Sequence, residues 1–251
     1  MIAAVGRFPT EKLLEGLLLM AQDRNGLHEL NEGRQGKFQH GDGWGLVYRE
    51  GGGLKRYRST VPCWADPELG RVRDKELILL HARRASPGSA ITLENTHPFR
   101  NGYRGQDWFF CHNGTVREPL PQFEGLEGTT DSERLFHLLL ASYDEHDDLG
   151  SLRRVLEGLQ DYTALNSFLL NERYLYLFNL YREHPRYYTL HIHRDERGAL
   201  ISSEPLPGFS GWEALENGTV LRVEFRTGKP RFVEGRPRLL VPVLFLRVIV
   251  S

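Results

Sequence analysis

The sequence predicts an α+β fold of stacked layers rather than a regular alternation of strand and helix. Two observations carry this reading. Apolar runs of strand length fall into an early group and a late group. The strongest pair of amphipathic helical patterns lies between them, near residues 130–159.

Taken in order, Ile2 to Val5 is an apolar run closed by Gly6 and suits a buried strand. Thr10 stands where a helix cap belongs. The helix it predicts runs through Glu11 to about Asp23, with Leu13, Leu14, Leu17, Leu18 and Ala21 inward. Residues 24–43 are polar and read as a loop. Leu46 to Arg49 and Leu54 to Arg58 form two strands joined across Gly51-Gly52-Gly53. Leu77 to His81 and Trp108 to His112 are compact apolar strands. Thr130 and Glu133 have capping-box spacing, and the helix they open carries Leu135, Phe136, Leu139 and Leu140 on one face. A second helix spans Ser151 to about Leu159. The remainder reads as strands at Ser167–Leu170, Tyr174–Phe178, Tyr187–His193, Ala199–Ser203, Thr219–Phe225 and Arg231–Val233.

A chain of 251 residues fits one large domain, 1–251, without repeat or linker. A formal charge of −1 gives no reason to expect nucleic acid as a partner. Two cysteines are too few for a disulfide framework, so a reducing, cytoplasmic setting is the simplest expectation. The apolar tail at about 238–251 carries Pro242 and Arg247 and is too short to span a bilayer. It reads as a terminal strand buried in the domain or in a subunit contact, which leaves room for a homo-oligomer. No membrane attachment is expected.

Five short motifs follow one another: His40-Gly-Asp-Gly-Trp-Gly45, His81-Ala-Arg-Arg-Ala-Ser86, Asn95-Thr-His-Pro-Phe99, His112-Asn-Gly-Thr115 and Thr129-Thr-Asp-Ser-Glu133. Asn113-Gly114 ends an apolar strand, where a backbone N–H beside an Asn amide makes an oxyanion hole. A hairpin turn explains the same pair. Arg83, just past a strand, can hold a carboxylate with two parallel hydrogen bonds, although a solvated arginine is the plainer reading. Asp131 opens a helix, where the amino-terminal field keeps it ionised for an ammonium, and capping alone also accounts for it. His191 and His193 alternate onto one face of a strand without a third ligand, so no metal is expected. Gly41-x-Gly43-x-Gly45 lacks the pattern of a phosphate loop. Cys111, in an apolar strand without a base, reads as a buried small residue.

Together the five motifs, in this order, resemble the class II glutamine amidotransferases of the Ntn-hydrolase superfamily. The resemblance is greatest to stand-alone amidotransferases and γ-glutamyl hydrolases, and it extends to Ser203-Glu204-Pro205-Leu206. It implies a four-layer αββα sandwich and acyl transfer from glutamine or a γ-glutamyl compound, without a cofactor. Arg83, supported by Ser86, would bind the substrate α-carboxylate, and Asp131 the α-ammonium. Asn113 and Gly114 would form the oxyanion hole. Asn95 to Phe99, with Thr96 and His97 foremost, would line the pocket. Ammonia would pass to a separate accepting enzyme, or the reaction would be plain γ-glutamyl hydrolysis.

The family's nucleophile is an amino-terminal cysteine, followed by one variable residue and an apolar strand ending in Gly. Met1-Ile-Ala-Ala-Val-Gly6 matches that strand from its first apolar position. The expectation is a cysteine two residues ahead of Met1, which places the Met1 nitrogen within roughly 10–12 Å of Asn113. The alternatives are a catalytically inactive glutamine-binding or scaffold subunit, and an unrelated metal hydrolase built on His191 and His193.

Overall fold

The computed structural model describes residues 1–72, 75–224 and 231–235. Among these, thirteen strands form two antiparallel sheets. The first sheet holds β1 (Ile2–Gly6), β2 (Trp44–Glu50), β3 (Gly53–Ser59), β4 (Glu76–Ala82), β9 (His191–Asp195), β10 (Gly198–Ser202) and β11 (Glu213–Ala214), ordered β11-β9-β10-β1-β4-β2-β3. The second holds β5 (Phe99–Tyr103), β6 (Gln106–Asn113), β7 (Asn166–Leu170), β8 (Tyr174–Asn179), β12 (Thr219–Glu224) and β13 (Arg231–Glu234), ordered β13-β12-β8-β7-β6-β5. The helices are α1 (Thr10–Ala21), α2 (Glu68–Arg71), α3 (Asp131–Ala141), α4 (Asp148–Gly158) and α5 (Pro185–Tyr188).

Side-chain alternation along the strands sets the layers. Ile2 and Ala4 of β1 face α1, where they join Leu13, Leu14, Leu17 and Met20. Ala3 and Val5 point the other way, into a core shared with Phe109 and Cys111 of β6 and Phe168 of β7. The opposite face of β6, Trp108 and Phe110, packs on Leu135, Phe136 and Leu139 of α3 and on Leu152 and Leu156 of α4. The order is therefore helix, sheet, sheet, helix. Strands covered on both faces explain why β1 and β6 read as unbroken apolar runs instead of alternating ones.

Several local expectations change. Thr10 is the first residue of α1 rather than its cap, and its hydroxyl donates to the Lys75 carbonyl at 2.9 Å. The run Tyr187–His193 is not one strand. Pro185 starts the short helix α5, and β9 begins only at His191. Pro185 favours that helix start because its missing N–H has no helical partner at the first position. α4 begins at Asp148, a turn before Ser151. β5 and the two-residue β11 go unread in the sequence. The apolar tail at about 238–251 lies outside the described residues.

Candidate active site

Three of the five motifs converge on one side of the sandwich, two at strand ends and one at a helix start. β4 delivers His81 and then Arg83, β6 delivers His112, Asn113 and Gly114, and the amino terminus of α3 delivers Asp131 and Ser132. A cavity of about 590 Å³ opens there. Arg83, Ser86, His97, Asn113, Gly114 and Asp131 all line it.

Arg83 is buried, with 4% of its surface exposed. Its guanidinium donates to the Asp42 carbonyl (3.4 Å), the Ser89 hydroxyl (3.1 Å) and the Ala90 carbonyl (3.3 Å). Those three bonds leave two of the five guanidinium N–H groups for a ligand. None of its partners among the described residues is a carboxylate, and burial lowers the Arg83 pKa. An incoming carboxylate would offset that cost by pairing with the buried charge. Backbone bonds fix the position: Arg83 N–H donates to the Gly43 carbonyl at 2.8 Å, and Asp42 N–H donates to the Arg83 carbonyl at 3.0 Å. The first motif thus acts as the cradle of the second.

Asn113 is oriented by His81. The His81 Nε2–H faces the His112 carbonyl (3.3 Å) and the Asn113 Oδ1 (3.2 Å), two acceptors that select this tautomer. With Oδ1 held, the Asn113 Nδ2 points the other way and donates to Ser203 Oγ at 3.4 Å. Ser203 Oγ in turn donates to the Met1 carbonyl at 3.4 Å, and the Ser203 N–H donates to the same carbonyl at 3.0 Å. Met1 and Asn113 are therefore two hydrogen bonds apart. They share the lining of a small annex of about 20 Å³, room for roughly one water. His40, Asn113 and Tyr187 border both the annex and the main cavity.

Gly114 has φ +140°, and an added Cβ would lie 2.0 Å from the Ala164 carbonyl oxygen. Only glycine fits, so Asn113-Gly114 is a strand exit pressed against the Ala164 backbone and not a hairpin turn. The Ala164 carbonyl also accepts from His112 Nε2 at 3.1 Å. That bond leaves His112 Nδ1 to accept from Ser132 Oγ at 2.9 Å, which ties α3 to β6. Burial lowers the His112 pKa and favours this neutral form.

Asp131 is the first residue of α3. Its Oδ2 accepts the Val116 N–H at 2.7 Å. Thr130 caps the helix, its Oγ1 accepting from Glu133 N at 3.2 Å. The Glu133 carboxylate does not return to the cap. It accepts from the Glu127 and Gly128 N–H groups, each at 2.8 Å, and so shapes the loop leading to Asp131.

Within the third motif the expected lining divides. His97 faces the cavity, whereas Thr96 is fully buried outside its lining, with its hydroxyl donating to the Thr92 carbonyl at 2.7 Å. Asn95 links the two halves of the site: its Nδ2 donates to the Ala90 carbonyl (3.2 Å) and its Oδ1 accepts the Thr129 N–H (2.8 Å). Ser86 lines the cavity but pairs with Thr115 Oγ1 at 3.3 Å. The hydroxyl that supports Arg83 is that of Ser89, which the motif spacing does not single out. His81, Ser132 and Ser203 stand inside quoted segments, but the parts they play show only in contacts across the fold.

His191 and His193 do not make a metal site. His193 Nδ1 meets the Ser210 carbonyl at 2.7 Å and Nε2 meets Asp195 Oδ2 at 3.1 Å, inside a nest of Phe8, Phe209 and Trp212. No group of three or more metal-ligating side chains occurs among the described residues. No helix there is long and apolar enough to cross a membrane.

Comparison with known proteins bears on the family and the fold. The family model "Glutamine amidotransferases class-II" matches residues 26–180. The Mycobacterium tuberculosis protein named "Gamma-glutamyl-hercynylcysteine sulfoxide hydrolase" is 30% identical over 209 residues, covering 77% of this chain and 84% of that protein. The Escherichia coli protein named "Putative glutamine amidotransferase YafJ" is 34% identical over 116 residues, 42% of this chain and 44% of that protein, so the match spans less than half its length. Among solved structures, the glutamine phosphoribosylpyrophosphate amidotransferase of B. subtilis superposes with a TM-score of 0.63 at 16% identity, over 94% of this chain and 48% of that one. This last likeness is one of fold. On the family match and the relative of 30% identity, the chain belongs to the class II glutamine amidotransferases.

Proposed function

We propose that the chain is the glutaminase or γ-glutamyl hydrolase body of such an enzyme, completed by a cysteine two residues ahead of Met1. The observation that carries this reading is the place of Met1. It lies at the mouth of an interior strand, hydrogen-bonded through Ser203 to Asn113, and it lines the annex of the cavity. Burial pushes its α-ammonium down to about 6. A peptide nitrogen at that point would carry no charge to desolvate, which supports continuation of the chain into the cavity. Two extended residues reach about 7 Å further.

In this reading the α-carboxylate of the substrate meets Arg83 and its α-ammonium meets Asp131. The γ-carbonyl then lies by Asn113 and Gly114. The cysteine sulfur attacks that carbon, and the free α-amine of the cysteine takes the thiol proton and passes it to the leaving nitrogen. The C–N bond breaks, ammonia or an amine departs and a thioester remains. Water adds to the thioester and releases glutamate with the thiol restored. Donors at Asn113 and Gly114 stabilise the oxyanion in both steps. Ammonia would pass to a separate accepting enzyme. A reducing cytoplasm suits both the thiol and the unpaired, buried Cys63 and Cys111.

The test compares glutamate release by the chain beginning at Met1 with release by a chain beginning Cys-x-Met1, its initiator methionine removed. Activity only in the second is expected. Equal activity in both would place the nucleophile elsewhere. Binding of glutamine with no activity in either would favour the inactive-subunit reading.

A further inference from the structure

An asparagine serves as an oxyanion donor only if its nitrogen, and not its oxygen, faces the reacting atom. The two ends of the amide are nearly alike in size, so packing alone does not choose between them. Around Asn113 a series of hydrogen bonds makes the choice, and its two ends have no freedom.

The series begins at His81. Its Nε2 faces the His112 carbonyl at 3.3 Å, a group that can only accept, so Nε2 carries the proton. Among the described residues the other ring nitrogen, Nδ1, has no hydrogen-bond partner, and burial holds the His81 pKa well below 6.5. The ring is therefore neutral with a single N–H. That N–H also meets Asn113 at 3.2 Å, where it accommodates Oδ1 and would repel an NH2 group.

The series ends at Met1. Its carbonyl accepts from Ser203 N–H at 3.0 Å and from Ser203 Oγ at 3.4 Å. A carbonyl has no proton to give, so the hydroxyl proton of Ser203 is committed to it. The Oγ then turns a lone pair to Asn113 Nδ2, 3.4 Å away. Donors thus run one way, from His81 to Asn113 to Ser203 to Met1. One of the two Nδ2 hydrogens is spent on Ser203, and the other is left for the cavity that Asn113 lines.

Ser203 itself borders the annex and not the main cavity, so it does not meet a ligand there. Nor does its place depend on the hydroxyl. Ile2 is registered against Ser202, and the Ser203 N–H bond to Met1 extends that ladder by one rung.

We propose that Ser203 is a positioning residue for the oxyanion hole. Its hydroxyl takes one hydrogen of the Asn113 amide, fixes the amide plane together with His81, and so aims the second hydrogen at the substrate carbonyl. The same hydroxyl ties the hole to the strand that starts at Met1. The oxyanion role of Asn113 rests on the proposed function, whereas the series of bonds does not.

Nuclear magnetic resonance on the 251-residue chain tests the bonds directly. The Asn113 side-chain amide signal, identified by its loss in Asn113→Ala, should move upfield and exchange faster with solvent in Ser203→Ala. It should stay near its wild-type position in Ser203→Thr, which keeps the hydroxyl. An unmoved signal in Ser203→Ala overturns the inference, whatever the chain catalyses. Kinetics on the chain beginning Cys-x-Met1 test the consequence. Ser203→Ala should lower kcat by about three- to tenfold, on the scale of one neutral hydrogen bond, with KM and Tm close to wild type. Ser203→Thr should restore most of kcat. In an Asn113→Ala background, Ser203→Ala should change kcat by no more than about twofold, because the group it positions is gone. A full repeat of its effect in that background, or a lower Tm with kcat intact, would make Ser203 part of the strand scaffold alone and overturn the inference while the γ-glutamyl reading stands. If the amide signal moves as expected but the Cys-x-Met1 chain is inactive, the γ-glutamyl reading itself fails, and the positioning role with it.

Discussion

Arg83→Lys separates the charge of this residue from its shape. The wild-type guanidinium makes three bonds to its own wall, to Asp42, Ser89 and Ala90. A lysine ammonium has three donors on one atom and cannot reach three acceptors spread around a planar fork while also serving a ligand. Losing two of the wall bonds should lower stability by about 1–3 kcal/mol, at about 0.5–1.5 kcal/mol each. For a domain of this size that is a fall of about 2–12 °C in Tm, at roughly 2–4 °C per kcal/mol. Losing one of two bonds to the substrate carboxylate should remove about 1.5–3 kcal/mol of binding, or roughly ten- to hundredfold in Kd. Thermal unfolding reads the first number, and titration calorimetry with glutamine reads the second. A lower Tm with unchanged glutamine affinity would show that Arg83 only buttresses the loop 85–90, and the assignment of the carboxylate site would fall.

Other consequences can be checked in the same way. Asp131→Asn keeps an acceptor for the Val116 N–H but removes the charge, so calorimetry should show glutamine affinity falling by about tenfold or more. In a chain carrying the amino-terminal cysteine, Asn113→Ala should lower kcat by about 10²–10³ with a smaller change in KM, because its donor acts on the transition state. His97 is buried, both its ring nitrogens lack partners among the described residues, and burial holds its pKa well below 6.5. Below pH 6.5 the unfolded chain therefore takes up a proton that the folded chain refuses, and stability is lost as pH falls. His97→Phe should flatten the decline of Tm between pH 7 and pH 5, and equal slopes in the two proteins would contradict that account.

The fold was legible where burial dictates composition. β1 and β6 are apolar on both faces because cores lie on both sides, and α3 announces itself through Thr130 and its leucine stripe. Reading failed where one residue overrides a pattern. Pro185 turns a β-like run into α5, and Phe99–Tyr103, with Arg100, Asn101 and Gly102 at its centre, hides a strand that the β6 ladder imposes. The site divides along the same line. Arg83, Asn113, Gly114 and Asp131 stand at element ends and line one cavity, and all four fall within the ordered motifs on which the resemblance rests. Ser89, His81, Ser132 and Ser203 act through hydrogen bonds to partners that only tertiary contact supplies, as Thr96 is withdrawn by its local bond to Thr92.

The seating of Met1 has a practical side. β1 is flanked by β10 and β4, with Ile2 registered against Ser202 on one side and Leu80 on the other, so its leading end cannot swing outward without unzipping a sheet. On the proposed function, whatever is joined to Met1 would leave by way of the annex that Met1 lines and the substrate cavity beyond it. An affinity tag fused there would act as a tethered plug, and a protein purified by such a tag would report the properties of its own obstruction.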